Sequence, residues 1–211
     1  MGDLEPTHHD PHLHELKAIA QAHHHCRFDY AMSFPFFSGS FDSSACDLQL
    51  GRDVALACGN GDAHLRLVDV ISDNDMAEAN LTKTVESLVQ VADDLDDDGI
   101  RLTIEHSFQT WDIFWPVFQE ARQRSQTGNL WLCFDPANLS LSREAERMME
   151  IVDMIDKSEI SMLHVKQANS GVIETELCDG DVPWPRVVQE FLKSGYHGPI
   201  MFEFTSSPEV E

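Results

Sequence analysis

Four side chains that can bind metals stand at the same place in a repeated pattern, directly after a short apolar run. Glu105 follows LTI, Asp135 follows LCF, His164 follows SML and Glu203 follows IMF. Carboxylate and imidazole ligands together suit Mn²⁺, Mg²⁺, Co²⁺ or Zn²⁺, and the ligand types alone do not choose among them. Three carboxylates brought together repel one another unless a cation neutralises them. The pattern therefore predicts a centre for divalent metal binding.

A single acidic residue after a strand has an ordinary structural explanation, because it is often a helix cap or one member of an ion pair. Four such residues after four successive apolar runs, all drawn from Glu, Asp and His, are poorly explained by capping. In parallel β/α folds the carboxyl ends of the strands meet on one face, where active sites are built. We therefore interpret the four residues as one shared site.

Six apolar runs are predicted as strands, with helices between them. The strands are Phe28–Phe34, Ala63–Ile71, Ile100–Glu105, Leu130–Phe134, Ile160–Val165 and Pro199–Phe204. The helices are His14–His24, Met76–Leu95, a stretch within His106–Arg124 that Pro116 interrupts, Arg143–Ile155 after an N-cap at Ser142, and a last helix from Pro185 to before Gly195. This alternation predicts a parallel α/β sheet or barrel. No change in composition divides residues 1–211 into more than one domain.

The composition limits the classes of function. The chain of 211 residues has 14 Lys and Arg against 37 Asp and Glu, a formal net charge of −23. Such a charge argues against nucleic-acid binding, and it is typical either of adaptation to high salt or of an acidic mesophilic protein. No apolar run predicts a membrane span, and the acidic, His-rich start is unlike a secretory signal. Five cysteines without a CxxC pair indicate reduced thiols and a cytoplasmic protein.

Over residues 100–205 the chain resembles the xylose isomerase-like barrel superfamily of sugar phosphate isomerases and epimerases. The matching segments are LTIEH at 102–106, LCFDPAN at 132–138, HVK at 164–166, GDVPWP at 180–185, and GYHGP at 195–199 before the run that ends in Glu203. The resemblance implies a (β/α)₈ barrel with one divalent cation bound by Glu105, Asp135, His164 and Glu203. It also implies that the two glutamates exchange a substrate proton and that Lys166 contacts substrate.

Three departures from the family pattern matter. Asn138 stands where the family usually has a histidine, which removes a substrate or second-metal contact, and Gln167 replaces an expected acidic residue. An eight-stranded member has two more strands before Phe28. The sequence therefore predicts an incomplete TIM barrel of about six parallel strands that lacks the first two βα units. Unpaired strand edges and an exposed apolar interior lead us to expect either self-association, as in a homo-oligomer, or limited stability.

The expected function is metal-dependent isomerisation or epimerisation of a small carbohydrate, or dehydration of a related molecule. Glu105 and Glu203 are the predicted catalytic residues, which remove and return a proton next to a carbonyl. The candidate substrate-binding residues are Lys166, Asn138, His106 and Trp111. For Trp111, helix-to-barrel packing is the alternative.

Two other functions stay open at this point. One is that of the abasic-site endonuclease branch of the same superfamily, which hydrolyses phosphodiesters with several zinc ions. It needs extra histidines at strand ends, and Asn138 sits where one belongs. The other is a non-catalytic role, in which a truncated barrel serves as a binding or interaction module. The metal content of the purified protein separates the three cases: one equivalent, several, or none.

Overall fold

The computed structural model describes residues 11–71 and 78–203, in which strands and helices alternate. The strands are β1 (Tyr30–Ser33), β2 (Ala63–Val68), β3 (Ile100–Glu105), β4 (Leu130–Phe134), β5 (Ile160–Val165), β6 (Ala168–Asn169), β7 (Val172–Ile173) and β8 (Ile200–Phe202). The helices are α1 (Pro11–Ala22), α2 (Cys46–Cys58), α3 (Glu78–Asp97), α4 (Trp111–Arg124), α5 (Pro136–Leu141), α6 (Met148–Met154) and α7 (Trp184–Lys193). The predicted helix start at Met76 and strand end at Phe204 lie outside the described residues.

Six strands form one parallel sheet in the order β1-β2-β3-β4-β5-β8, curled into a half-barrel. The last strand pairs with β5 through Leu163 opposite Ile200 and Val165 opposite Phe202. The edges are β1 and β8, which do not pair with each other in the part of the chain that the structure describes. The predicted incomplete TIM barrel of six parallel strands is confirmed.

The curled sheet has an apolar outer face and a polar inner face. Leu102 and Ile104 of β3 are fully buried in the apolar core that the helices cover. Thr103 and Glu105 alternate with them and contact polar side chains of β5 and β2 across the inside of the curl. Because successive side chains of a strand point to opposite faces, the apolar packing fixes the register. The register in turn decides which polar side chains meet inside the curl.

The strands β3, β4 and β5 match their predicted bounds, and the predicted helix over Arg143–Ile155 is wrong at its start. Ser142 does not cap that helix; it follows the last residue of α5. Arg143 has a φ of 65°, which a helix interior does not accept. The chain then passes through a 3₁₀ turn at Ala145–Arg147 before α6 begins.

Sequence analysis also missed α2, α5 and the short antiparallel hairpin of β6 and β7. The helix α3 ends at Asp97, two residues beyond the predicted Leu95, and the predicted stop Gly99 has a φ of 70° just beyond it. Pro116 lies within α4 without ending it. Within residues 11–71 and 78–203, none of the helices combines the length and the apolar character that crossing a bilayer requires.

Candidate metal centre

The four predicted ligands lie together at the carboxyl ends of four neighbouring strands. Glu105 ends β3, Asp135 follows β4, His164 is the next-to-last residue of β5, and Glu203 follows β8. One ligand atom from each lies within 4.8 Å of those of the others. Glu105, Asp135 and His164 are buried, whereas the Glu203 side chain is 47% exposed. The structure therefore assembles the four residues into one group that is open to solvent beside Glu203.

His164 lies at the centre of this group. Its Nδ1 atom is 3.1 Å from Glu203 Oε2, 3.6 Å from Glu105 Oε1 and 3.7 Å from Asp135 Oδ2. Its side chain is fully buried, and its Nε2 atom has no hydrogen-bond partner among the described residues. Buried ring nitrogens are usually hydrogen-bonded or bound to a metal. The environment of His164 thus fits a metal ligand.

Two cations neutralise part of the negative charge of the three carboxylates. Lys166 Nζ lies 2.7 Å from Asp135 Oδ2 and 3.3 Å from Glu203 Oε2. Arg66 of β2 donates from Nη1 to Glu105 Oε2. Three carboxylates and one imidazole form a donor set that suits a divalent ion, and an ion would neutralise the negative charge that remains.

Burial and neighbouring charges displace the pKa values of the group in different directions. Burial raises the pKa of Glu105, although Arg66 and His164 oppose the rise. The contact with His164, helped by Lys166, lowers the pKa of Glu203 to about 2. Burial alone would lower the pKa of His164, but the neighbouring thiol and carboxylates raise it to about 12. A divalent ion bound by the group would act against this rise, because it repels a protonated imidazole ring.

Asp135 serves a helix and the ligand group at the same time. Its Oδ1 atom accepts a hydrogen bond from the Ala137 N–H at 3.0 Å, which caps α5. Its Oδ2 atom faces His164 and Lys166 instead. The capping bond holds the carboxylate in one orientation, so that the other oxygen points into the group.

Asp69, directly after β2, shows the other outcome for an acidic residue at a strand end. Its Oδ2 atom accepts a hydrogen bond from the Phe37 N–H at 2.6 Å, and its Oδ1 atom accepts one from the Ile71 N–H at 3.0 Å. Burial raises the pKa of Asp69, and the two hydrogen bonds oppose the rise. Both carboxylate oxygens are bound to backbone, so Asp69 organises loops and stands apart from the ligand group.

Asn138, which replaces the family's usual histidine, lies beside the group and holds one of its members. Its Nδ2 atom donates to Glu105 Oε1 at 3.1 Å and to the His106 carbonyl at 2.8 Å. Arg66 already donates to the other oxygen of Glu105. Glu105 is therefore fixed from both sides, whereas the side-chain partners of Glu203 within residues 11–71 and 78–203 are His164 and Lys166.

The rings of His106 and Trp111 lie in the aromatic core rather than among the ligands. The Nε2 atom of His106 is 2.6 Å from the Gln109 carbonyl, and its ring packs edge-on against Trp111. Trp111 is 1% exposed and stacks on Trp115 at the start of α4. Trp111 is therefore a packed core residue, as the alternative of helix-to-barrel packing expects. Substrate contacts by the rings of His106 and Trp111 stay a prediction, which this buried geometry does not favour.

Gln167 explains a second departure from the family pattern. Its Oε1 atom accepts hydrogen bonds from the N–H groups of Ala168 and Val182, at 2.9 and 3.0 Å. Its Nε2 atom donates to the carbonyls of Cys178 and Val182, at 2.9 and 3.2 Å. A carboxylate cannot donate. The amide therefore ties the loop before α7 to the end of β5 in a way that an acidic residue cannot.

Sequence analysis missed two residues beside the ligands, Arg66 and Cys133. Arg66 alternates with the buried Leu65 and Leu67 in AHLRLV, which marks it as an inward side chain of β2. Cys133 stands two residues before Asp135 and so shares its face of the strand. Burial raises the pKa of the Cys133 thiol to about 12. Period-two alternation was the available signal for both residues.

Comparison with solved structures shows the same fold at low sequence identity. A xylose isomerase domain containing protein from Salmonella typhimurium LT2 matches at 19% identity and a TM-score of 0.67, over 92% of this chain and 72% of that chain. D-Allulose 3-epimerase from Methylomonas sp., in complex with D-allulose, matches at 17% identity and a TM-score of 0.66, over 94% and 72%. A xylose isomerase-like TIM barrel protein from Mycobacterium smegmatis, in complex with magnesium, matches at 14% identity and a TM-score of 0.63, over 95% and 73%.

No curated protein matches the sequence. The model of one protein family does, and the match covers residues 9–211, nearly the whole chain. That family is described as the xylose isomerase-like TIM barrel, in agreement with the half-barrel of parallel strands. The chain therefore belongs to the xylose isomerase-like TIM barrel family.

Proposed function

We propose that this protein is a divalent-metal-dependent isomerase or epimerase of a small sugar or sugar-like molecule. The observation that carries the proposal is the meeting of Glu105, Asp135, His164 and Glu203 around one point at the carboxyl ends of the strands. Structural neighbours that include epimerases of D-allulose and D-psicose support the substrate class.

The four residues would hold one metal ion, either Mn²⁺, Mg²⁺, Co²⁺ or Zn²⁺. When bound, the ion polarises a substrate carbonyl and makes the neighbouring C–H bond more acidic. The three clustered carboxylates and the Nδ1 atom of His164, which lies among them, support this assignment.

Glu203 and Glu105 are proposed to move the substrate proton. The half-exposed position of Glu203 places its carboxylate at the open side of the group, where it can reach a bound substrate. Glu105 has a raised pKa and is buried on the inner side, which suits it to return a proton from another direction. Arg66 and Asn138 hold the Glu105 carboxylate in place for this transfer.

Lys166 is proposed to bind a substrate oxygen, since its ammonium group stands between Asp135 and Glu203. The other proposed substrate contacts are Asn138, His106 and Trp111, and Asn138 lies nearest the ligands. The formal charge of −23 supports a small carbohydrate over a nucleic acid. Five free cysteines support a cytoplasmic location.

The exposed edge of β8 supports a homo-oligomer of a single-domain chain. Ile200 and Phe202 of this strand are 51% and 59% exposed. Unpaired strand edges with apolar side chains favour association.

Phosphodiester hydrolysis with several zinc ions has less support. The two metal-competent groups found among the described residues share a single histidine, His164. Asn138 uses its amide hydrogens on Glu105 and on the His106 carbonyl. A second or third zinc ion therefore lacks nearby imidazole ligands in the described part of the chain.

Metal analysis combined with deuterium exchange tests the proposal. The purified protein is stripped with a chelator, reloaded with Mn²⁺, Mg²⁺, Co²⁺ or Zn²⁺, and incubated in D₂O with ketoses, inososes and hydroxy-keto acids. We expect one equivalent of bound metal and metal-dependent incorporation of deuterium next to a carbonyl. Several equivalents of zinc with phosphodiester cleavage would support the endonuclease function, and no bound metal would support the binding module.

A further inference from the structure

The Cys133 thiol is a sulfur donor beside the candidate metal centre that the proposed reaction does not use. Cys133 and Asp135 lie on the same face of β4, with Cys133 one step deeper inside the curl. Cys133 is fully buried. One donor atom from each of Glu105, Cys133 and His164 lies within 4.8 Å of those of the other two. These three residues form a second metal-competent group, which shares Glu105 and His164 with the first.

His164 supplies the second observation that points to a ligand here. Its side chain is fully buried, and its Nε2 atom has no hydrogen-bond partner among the described residues. The three carboxylate contacts of the ring are made to Nδ1. A buried imidazole beside a buried thiol can supply the nitrogen donor for an ion that the sulfur also binds.

The two groups differ in the chemistry of their donors. Glu105, Asp135, His164 and Glu203 offer three carboxylates and one imidazole, which suit hard or borderline ions such as Mg²⁺ and Mn²⁺. Glu105, Cys133 and His164 offer one oxygen, one sulfur and one nitrogen. Thiolate sulfur selects Zn²⁺ and other thiophilic ions such as Cd²⁺.

We propose that Cys133, with Glu105 and His164, forms an alternative site that binds thiophilic ions such as Cd²⁺ through the sulfur, and that an ion bound there keeps the four-residue centre of the proposed reaction empty. When such an ion binds, the S–H bond breaks, a sulfur–metal bond forms, and the proton leaves to solvent. The four-residue centre and the Cys133 site cannot hold an ion at the same time, because they share Glu105 and His164. The exclusion of the reaction's ion rests on the proposed function, whereas the sulfur–metal bond itself does not.

Co²⁺ is the probe for the sulfur–metal bond. One equivalent of Co²⁺ is added under anaerobic conditions to the full chain after chelator treatment, and near-ultraviolet absorption is recorded. We expect a sulfur-to-cobalt charge-transfer band in the unaltered protein and its complete loss in Cys133→Ser. Cys133→Ala serves as a second variant, and circular dichroism checks that each variant folds.

Two other cysteine variants are the matched controls. Cys58→Ser alters the other buried cysteine, which lies in a separate small core with Ala20 and Val54. Cys26→Ser alters an exposed cysteine that follows three histidines and is itself a rival site for cobalt. We expect both controls to keep the band. A band that survives in Cys133→Ser, or that disappears in Cys26→Ser, would overturn the proposal.

Metal competition separates this proposal from the proposed function. We expect Cys133→Ser to weaken Cd²⁺ binding about 10- to 100-fold, a loss common when a supporting residue of a metal site is removed. Mn²⁺ affinity, measured by paramagnetic resonance, is expected to stay the same. If Mn²⁺ binds but Co²⁺ gives no sulfur band, only the thiophilic site fails. If Co²⁺ gives the band but no Mn²⁺ binds, only the proposed centre fails, and if neither metal binds, both fail.

Discussion

Two polar clusters lie one behind the other on the inner face of the sheet, and they differ in the balance of their charges. The cluster nearer the amino ends of the strands, called the lower cluster here, consists of Asp29, His64, Thr103 and Ser161. Its single carboxylate, Asp29, lies 2.8 Å from His64 Nδ1 and 2.9 Å from the Nε atom of Arg66. Thr103 donates to Ser161 Oγ at 3.0 Å and also contacts His64 Nε2. The lower cluster is a connected network of neutral groups and ion pairs.

The upper cluster consists of the four candidate ligands, Glu105, Asp135, His164 and Glu203. Here three carboxylates share Lys166 and one end of Arg66, and His164 Nε2 has no partner among the described residues. Both clusters contain an Asp beside a His. The same pair of residue types therefore occurs once in a network whose charges are balanced and once in a group with an excess of negative charge, and it is the second that we propose as functional.

The largest expected effect comes from removing the proposed base of the upper cluster. Glu203→Gln should lower deuterium exchange into substrate about 10²- to 10⁴-fold, because an amide cannot accept the proton. Its melting temperature should change little, since the Glu203 side chain is half exposed. Glu120→Gln, on the exposed face of α4, is the control and should keep full exchange. Unchanged exchange in Glu203→Gln would remove Glu203 from the mechanism.

Arg66 joins the two clusters, so its removal should destabilise the protein. Arg66→Met leaves the buried carboxylates of Asp29 and Glu105 without their shared cation. Breaking a buried ion pair in this way typically costs about 3–5 kcal/mol. Urea unfolding measures the loss, and Arg147→Met, which removes ion pairs at the surface, should show a much smaller change. Equal losses of unfolding free energy in the two variants would mean that the buried ion pairs of Arg66 contribute no more than the surface ion pairs of Arg147.

Metal binding should raise the free energy of unfolding of the protein, and this gain should depend on the upper cluster and not on the lower one. A ligand present at about 100 times its dissociation constant raises the free energy of unfolding by about 2.7 kcal/mol. We expect this gain on adding Mn²⁺ to chelator-treated protein, measured by thermal unfolding. His164→Gln should abolish the gain, whereas His64→Gln should retain it. The same gain in His164→Gln would place the bound ion elsewhere.

The smallest expected effect is the acid sensitivity of the lower cluster. Burial acts to raise the pKa of Asp29, but His64 and Arg66 outweigh it and lower that pKa below 3.8. A carboxyl group with a lowered pKa in the folded state contributes stability above its unfolded pKa, near about 3.9, and this contribution disappears as pH falls through the folded-state pKa. Asp29→Asn should therefore flatten the fall in stability below about pH 4. An unchanged slope would show that Asp29 is not among the groups responsible.

Local sequence information was sufficient for the strands that carry the site. Apolar runs bounded by polar residues located β3, β4 and β5 to the residue. The runs are nearly continuous because most residues on both faces of these strands are buried. It was not sufficient for α5, where Pro136 begins a helix directly after the candidate ligand Asp135. The motif predicted a ligand there but gave no sign that the same carboxylate also caps a helix.

The sequence by itself determined the alternation of strands and helices, the four metal-competent strand ends and the resemblance to the family, because these depend on periodicity and on short motifs. Only the tertiary structure decided that Asp69 binds backbone while Asp135 faces His164, and that Trp111 is packed in the core. It also placed Arg66 and Cys133 beside Glu105. The physical reason is that partners far apart in the chain meet only when strand register and sheet curvature bring them together.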